Sequence, residues 1–289
     1  MKIRHLVLIS LTFSASICAF AAEAITVDES RPLDKLALKL VQRYGYLVTY
    51  EEAPYDESGL RTDVRLNGVR FRYPSWVPTV FHVPDRPIGP TAGSPEPAHA
   101  LPPLGPSVLD PLLKEYHDAG NPGRFKVIFE GEYAHIVPAA RVVNGKAEDF
   151  QPVLSARIAF PSETRSCNET LRDLFSRIKT VRDVTVVGGA IPIGSLIRQQ
   201  CRVTGEDLTA REILLQILDQ VGMIAIPKLR FAWGLLYDAN GDKYFLSTTP
   251  VPNMASPDVA TPPRPVEKVV VPLGTAPRGT RLGVPVKKQ

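Results

Sequence analysis

Protein chemistry starts from thiols, imidazoles, carboxylates and activated hydroxyls, and this chain sets few of them at spacings that let them cooperate. It has three cysteines, Cys18, Cys167 and Cys201, and past the first few residues its histidines are His82, His99, His117 and His135. No two of these histidines share a metal-ligand spacing, and no Cys-x-x-Cys pair points to zinc. The nucleophile elbow Gly-x-Ser-x-Gly, the zinc motif His-Glu-x-x-His and the two glycine-rich phosphate loops are absent. The acidic cluster Glu51, Glu52, Asp56 and Glu57 lacks the Asp/Asn–Gly spacing of a calcium loop and reads as a solvated loop. His117, near a helix end, reads as a complement to the helix dipole, and His135 as part of a solvated strand face. The sequence therefore offers no catalytic residue, no cofactor-binding residue and no metal ligand. One aromatic group stands out: Tyr73, Trp76 and Phe81 lie among prolines and form a possible interface.

The cysteines take their meaning from the first two dozen residues. Lys2 and Arg4 precede an apolar stretch from Leu6 to Phe20, and Ala19-Phe20-Ala21 and Ala22-Glu23-Ala24 both fit the small-x-small cleavage pattern. That is the form of a secretory signal peptide, assigned here to residues 1–24 with a mature start near Ile25. Serines and a threonine break the stretch too early for a membrane span, so no transmembrane segment is expected in the mature chain. Cys18 leaves with the leader. In an oxidising compartment Cys167 and Cys201 then pair as a disulfide.

The elements that must position these residues follow from periodicity. Leu33, Leu36, Ala37, Leu40 and Val41 recur on one helical face, flanked by strands at Ile25–Val27 and Tyr46–Tyr50. Thr62 to Tyr73 suggests one or two strands turning at Asn67-Gly68, and a proline-rich insertion follows near 74–106. Ser107 opens a second helix, and the alternating runs Arg124–Phe129 and Tyr133–Val137 form a hairpin around Gly131. The second half repeats this order. A strand at Val153–Phe160 leads to a helix with a Ser166/Glu169 capping box and a strand at Val184–Val187. A loop and a strand near Gln200–Val203 come next, then a helix with a Thr209/Glu212 capping box and a hairpin turning at Asn240-Gly241. From Pro250 onward proline recurs every few residues, which reads as a disordered basic tail whose one β-rich run is Val269–Val271.

The fold class expected is α+β: two small modules, each strand–helix–strand then helix–hairpin, at residues 25–140 and 150–250, with the tail at 251–289. This order, with Arg31-Pro-Leu-Asp-Lys-Leu-Ala37 leading into Gly45 and a strand, and with Thr209 to Gly222 preceding the Trp233–Leu246 hairpin, resembles the short N-terminal domain of secretins and TonB receptors. The resemblance covers about Ile25–Tyr50, Ser107–Val137 and Val153–Thr248, and no barrel or secretin core follows it. It implies protein–protein interaction in the periplasm and supplies no catalytic residues.

Composition fits a globular chain, with 44% hydrophobic and 22% charged residues; a net charge of +4, scattered among acids, gives no case for nucleic acid. The function expected is an exported periplasmic protein-binding or scaffold protein of the envelope with an envelope protein partner. The alternative is a secreted hydrolase with catalytic groups in the long insertion.

Overall fold

The computed structural model describes residues 22–55, 61–66, 69–74, 76–84, 104–144, 146–223 and 229–251. Residues 1–21 of the expected signal peptide, Asp56, Glu57, the Asn67-Gly68 turn, His99 and the tail with Val269–Val271 lie outside the described residues, while Ala22–Ala24 fall in the first strand.

The chain opens with strand β1 (Ala22–Val27) and helix α1 (Pro32–Tyr44). Pro32 at the first helical turn gives up no hydrogen bond, and Gly45, in the left-handed region at φ 68°, returns its N–H to the carbonyls of Leu40 and Val41. Ser30 does not cap this helix; Arg31 stands at the cap position, itself left-handed at φ 61°. Strand β2 (Val48–Glu51) follows, then the hairpin β3 (Arg61–Leu66) and β4 (Val69–Pro74), and β5 (Thr79–Pro84), which pairs antiparallel with β1. Helix α2 (Pro106–Asp118) leads into β6 (Arg124–Glu130), β7 (Tyr133–Val143) and β8 (Lys146–Asp149).

In the second half, the stretch expected as one strand from Val153 to Phe160 is instead a single 3-10 turn at Val153–Ser155 and a two-residue strand, β9 (Arg157–Ile158). The cause is a distant residue: the backbone N–H groups of Val153 and Leu154 turn onto the carboxylate of Glu51 rather than into a ladder. Strand β10 (Thr164–Ser166) precedes α3 (Cys167–Arg182), capped by Ser166 and Glu169. Then come β11 (Thr185–Gly188), the short helix α4 (Ile193–Arg198) in part of what reads as loop, β12 (Gln200–Arg202) and β13 (Leu208–Thr209). Helix α5 (Ala210–Gly222), with the Thr209/Glu212 box, and the hairpin β14 (Arg230–Asp238) and β15 (Lys243–Val251) complete the fold. Gly222 is required: a Cβ there would meet the Leu229 carbonyl oxygen at 2.0 Å.

The α+β class holds, with helices and strands mixed and both parallel and antiparallel pairing in one sheet. That sheet runs β11-β15-β14-β2-β7-β6, with β8 also on β7, so it passes without interruption from one half of the chain to the other. The seam is β2, parallel to β14 on one side (Gly234 beside Tyr50) and parallel to β7 on the other (Thr49 beside His135). Two hydrophobic cores form, the first drawing Ala232 and Val251 from the second half of the chain. On one face of the sheet Val48, Tyr50 and Ile136 pack with Leu36, Leu40, Leu112 and Tyr116 of α1 and α2. The core of the second half joins Trp233, Leu235 and Leu246 to Leu174 and Ile178 of α3 and Ile213 and Ile217 of α5. Among the described residues no helix is long and apolar enough to cross a membrane.

Cys167, at the start of α3, and Cys201, in β12, are joined as a disulfide, both fully buried with Cα atoms 4.9 Å apart. The bond closes a loop of sequence separation 34 within the second core. On the chain-entropy account its loss costs about 3–4 kcal/mol. Replacing both cysteines by Ala should lower the unfolding free energy by about that amount in denaturant titration, and thiol labelling of the denatured, unreduced chain should modify neither.

Candidate functional site

Two buried glutamates, Glu51 and Glu52, stand where β2 ends. Strand alternation sends Thr49 and Glu51 to one face, and all four residues of β2 are buried. Glu51 is wholly buried. Its Oε1 accepts the Val153 and Leu154 N–H groups, and its Oε2 lies 3.5 Å from Nη2 of Arg211 on α5. Arg211, also buried, reaches Oε1 of Glu130 at the end of β6 at 3.3 Å. Behind them His135 is closed from solvent, its Nδ1 sharing a hydrogen with Thr49 Oγ1 at 2.6 Å and its ring stacked between Tyr133 and Trp233. His135 Nε2 faces Glu130 Oε2 at 3.6 Å, an electrostatic contact rather than a hydrogen bond. The solvated strand face expected for His135 is therefore corrected: its side of β7 lies against α5 and Trp233.

Glu52 forms a second buried pair. Both its oxygens take Arg31 Nε, at 3.0 and 3.1 Å, and Oε2 also accepts the Tyr237 N–H at 2.8 Å. Arg31 donates further to the Tyr237 carbonyl at 2.9 Å, so one ion pair ties the start of α1 to the end of β14. These contacts hold Arg31 in its left-handed conformation. They also correct the reading of Glu51 and Glu52 as a solvated loop. The guanidinium lies over Trp76 at 5.6 Å, and Tyr55 sets its ring edge against both Trp76 and Tyr237. Of the expected aromatic interface, Trp76 is thus half-buried against this pair. Phe81 is fully buried in the first core and cannot contact a partner, and Tyr73 belongs to β4.

Burial dominates the electrostatics. It pushes Glu51 up to about 7 against the pull of Arg211 and the two backbone N–H groups. It pushes Glu52 up to about 7 against Arg31 and the Tyr237 N–H. His135 is held below its ordinary value, first by burial and then by Arg211, with Glu130 opposing. Arg211 thus sits between two carboxylates, and protonation of Glu51 leaves it a single partner in Glu130. The arrangement is a closed ionic joint between the halves, with no opening for a substrate at Glu51.

An opening lies next to it. A cleft of about 500 Å³ is bounded by Tyr55, the Arg141–Val143 end of β7, Phe150, Val153, the end of α3 at Val181–Val184, and the β14–β15 hairpin. Tyr237 donates to Asp242 at 2.9 Å on one wall. Beside it the buried hydroxyl of Tyr244 meets no acceptor among the described residues, and burial holds it protonated. Arg182 is occupied by the Gln151 and Pro152 carbonyls, while Val181 is 54% exposed at the rim. Serine, threonine, cysteine, histidine and lysine are absent from this lining, and no group of three metal-binding side chains converges among the described residues. Such a surface can bind by shape and aromatic contact.

Sequence reasoning missed the ionic joint, although it left one signal: Arg211 falls on the apolar stripe of α5 with Leu214, Leu218 and Val221. A charge on such a stripe implies a buried partner.

The sign of the pH effect follows from the shifts. A carboxyl whose folded value stands above its unfolded one gives stability that is full below the unfolded value and is lost as pH rises through the folded one. His135, held down, acts oppositely as pH falls toward its unfolded range. The difference between wild type and Glu51→Gln therefore isolates Glu51. From about pH 5 to about pH 8 the wild-type chain should lose unfolding free energy relative to the variant. A constant difference in chemical denaturation across that window would show Glu51 ionised throughout.

No family model matches the chain, and no curated protein or solved structure matches it.

Proposed function

We propose that this chain is an exported, periplasmic binding or scaffold protein of the cell envelope, built from modules like the short N-terminal domain of secretins and TonB receptors, and that it carries out no reaction. The observation that carries this reading is the cleft. Its walls are tyrosine, phenylalanine and valine with Arg141, Arg182, Asp183 and Asp242 among them, and the raised carboxyls of Glu51 and Glu52 are held by arginines outside its lining. The buried disulfide fits an oxidising compartment. A protein partner would enter over Val181, which is exposed at the rim.

A photo-crosslinking residue placed at Val181 tests this against the same residue at Lys146, which is exposed on β8. In intact cells the Val181 position should give a discrete crosslinked product that the Lys146 position does not. Equal or absent crosslinking at the two positions would remove the cleft as the binding surface. Export has its own measurement. Strand β1 starts at Ala22, where Glu23 accepts from the Tyr44 hydroxyl at 2.6 Å and pairs with Arg43, so a cut after Ala21 keeps the strand whole. The mass of the protein recovered from the periplasm should correspond to a start at Ala22 rather than Ile25, and a chain that keeps Met1–Ala21 would end the export reading.

A further inference from the structure

The central sheet ends at β6, and among the described residues no strand pairs with its outer side. The direction of its backbone groups can be worked out. Ala134 gives its N–H to Leu47, away from β6, so its opposite residue Phe129 has its N–H and C=O turned outward. By alternation Phe125 and Val127 do the same, and the close of the Glu130–Tyr133 turn keeps Glu130, Ile128 and Lys126 bonded inward. An edge of this length, in unbroken register with β7 from Phe125 to Glu130 and with its outward bonding groups unpaired among the described residues, is a template for a further strand.

The edge is also complementary to itself. Reading Arg-Phe-Lys-Val-Ile-Phe-Glu from Arg124 to Glu130, an antiparallel copy centred on Val127 sets Arg124 opposite Glu130 and Phe125 opposite Phe129. Val127 then exchanges both hydrogen bonds with its counterpart, and Phe125 and Phe129 exchange theirs. Each feature answers something unfinished in the single chain. Phe129 is a large apolar side chain, 41% exposed. Phe125 already stacks on Tyr50 at 5.7 Å and meets Tyr116 edge-on at 5.6 Å, so an incoming Phe129 would continue that aromatic row. Arg124 has no carboxylate within ion-pair distance among the described residues, and Glu130 keeps 28% of its side chain open. The two Lys126 side chains fall across the axis on long stems that reach solvent. The opposite edge, β11, is four residues long, ends in Gly188 and has no such symmetry.

We propose that two copies of this chain pair β6 against β6 about a twofold axis through Val127, joining their sheets into one. Sedimentation velocity of the full chain tests it. The wild-type protein should sediment as a dimer that dissociates on dilution. Val127→Pro removes an N–H that faces outward, so it should yield a monomer that keeps the wild-type circular dichroism. Arg124→Glu, which sets two acids opposite each other, should weaken dimerisation by about tenfold. If Val127→Pro does not fold, Phe129→Glu, on an exposed position, takes its place. A wild-type chain that stays monomeric at high concentration, or a folded Val127→Pro or Phe129→Glu variant that associates as wild type does, overturns the proposal.

Discussion

Everything in this protein hangs on four residues. Val48–Glu51 is buried at every position and is hydrogen-bonded on both sides, to β7 of its own half and to β14 of the other. A strand in that position must present an apolar surface to each of two cores, and β2 does so with Val48 and Tyr50 on one face. On the other it spends two positions on Thr49 and Glu51. A buried carboxylate is costly unless it is paired and hydrogen-bonded, so Glu51 draws Arg211, Glu130, the 3-10 turn at Val153 and, through Thr49, His135 into fixed places. The helix α5 is thereby held to the sheet by charge as well as by packing.

The local elements were legible in the sequence because their causes are local. The capping boxes Ser166/Glu169 and Thr209/Glu212 set the starts of α3 and α5 within a single turn, and the alternation through Phe125–Phe129 and Tyr133–Val137 specifies a hairpin with its turn at Gly131. What escaped is what depends on distant residues. Glu52 looks like loop acid until Tyr237 is brought beside it, and nothing near Glu51 in sequence announces Arg211. Val153–Phe160 carries β-forming side chains, yet a carboxylate from another strand captures its first N–H groups. The same holds for the sheet: similar element order in the two halves suggests two modules, whereas the edge that each half leaves unpaired is what joins them.

The two raised glutamates and the cleft occupy different places in this structure. Glu51 and Glu52 lie inside the joint, and neither is in the lining of the cleft, which is tyrosine, phenylalanine, valine and proline with Arg141, Arg182, Asp183 and Asp242. The two buried glutamates serve the connection between halves: Glu51 reaches Arg211 on α5, and Glu52 with Arg31 fastens the start of α1 to the end of β14.

The parallel seam also constrains how the chain reaches its native state. Glu52 and Tyr237, whose hydrogen bond fastens it, are 185 residues apart, so neither β2 nor the ionic joint can be completed until the closing hairpin exists. Contacts of that span make folding slow, since loop-closure entropy is lost before they form. Until then β2 has one open side and a buried-type carboxylate without its cation. A chain cut short before β14 would expose that strand edge, which makes the β14–β15 hairpin the element that protects the first half from aggregation.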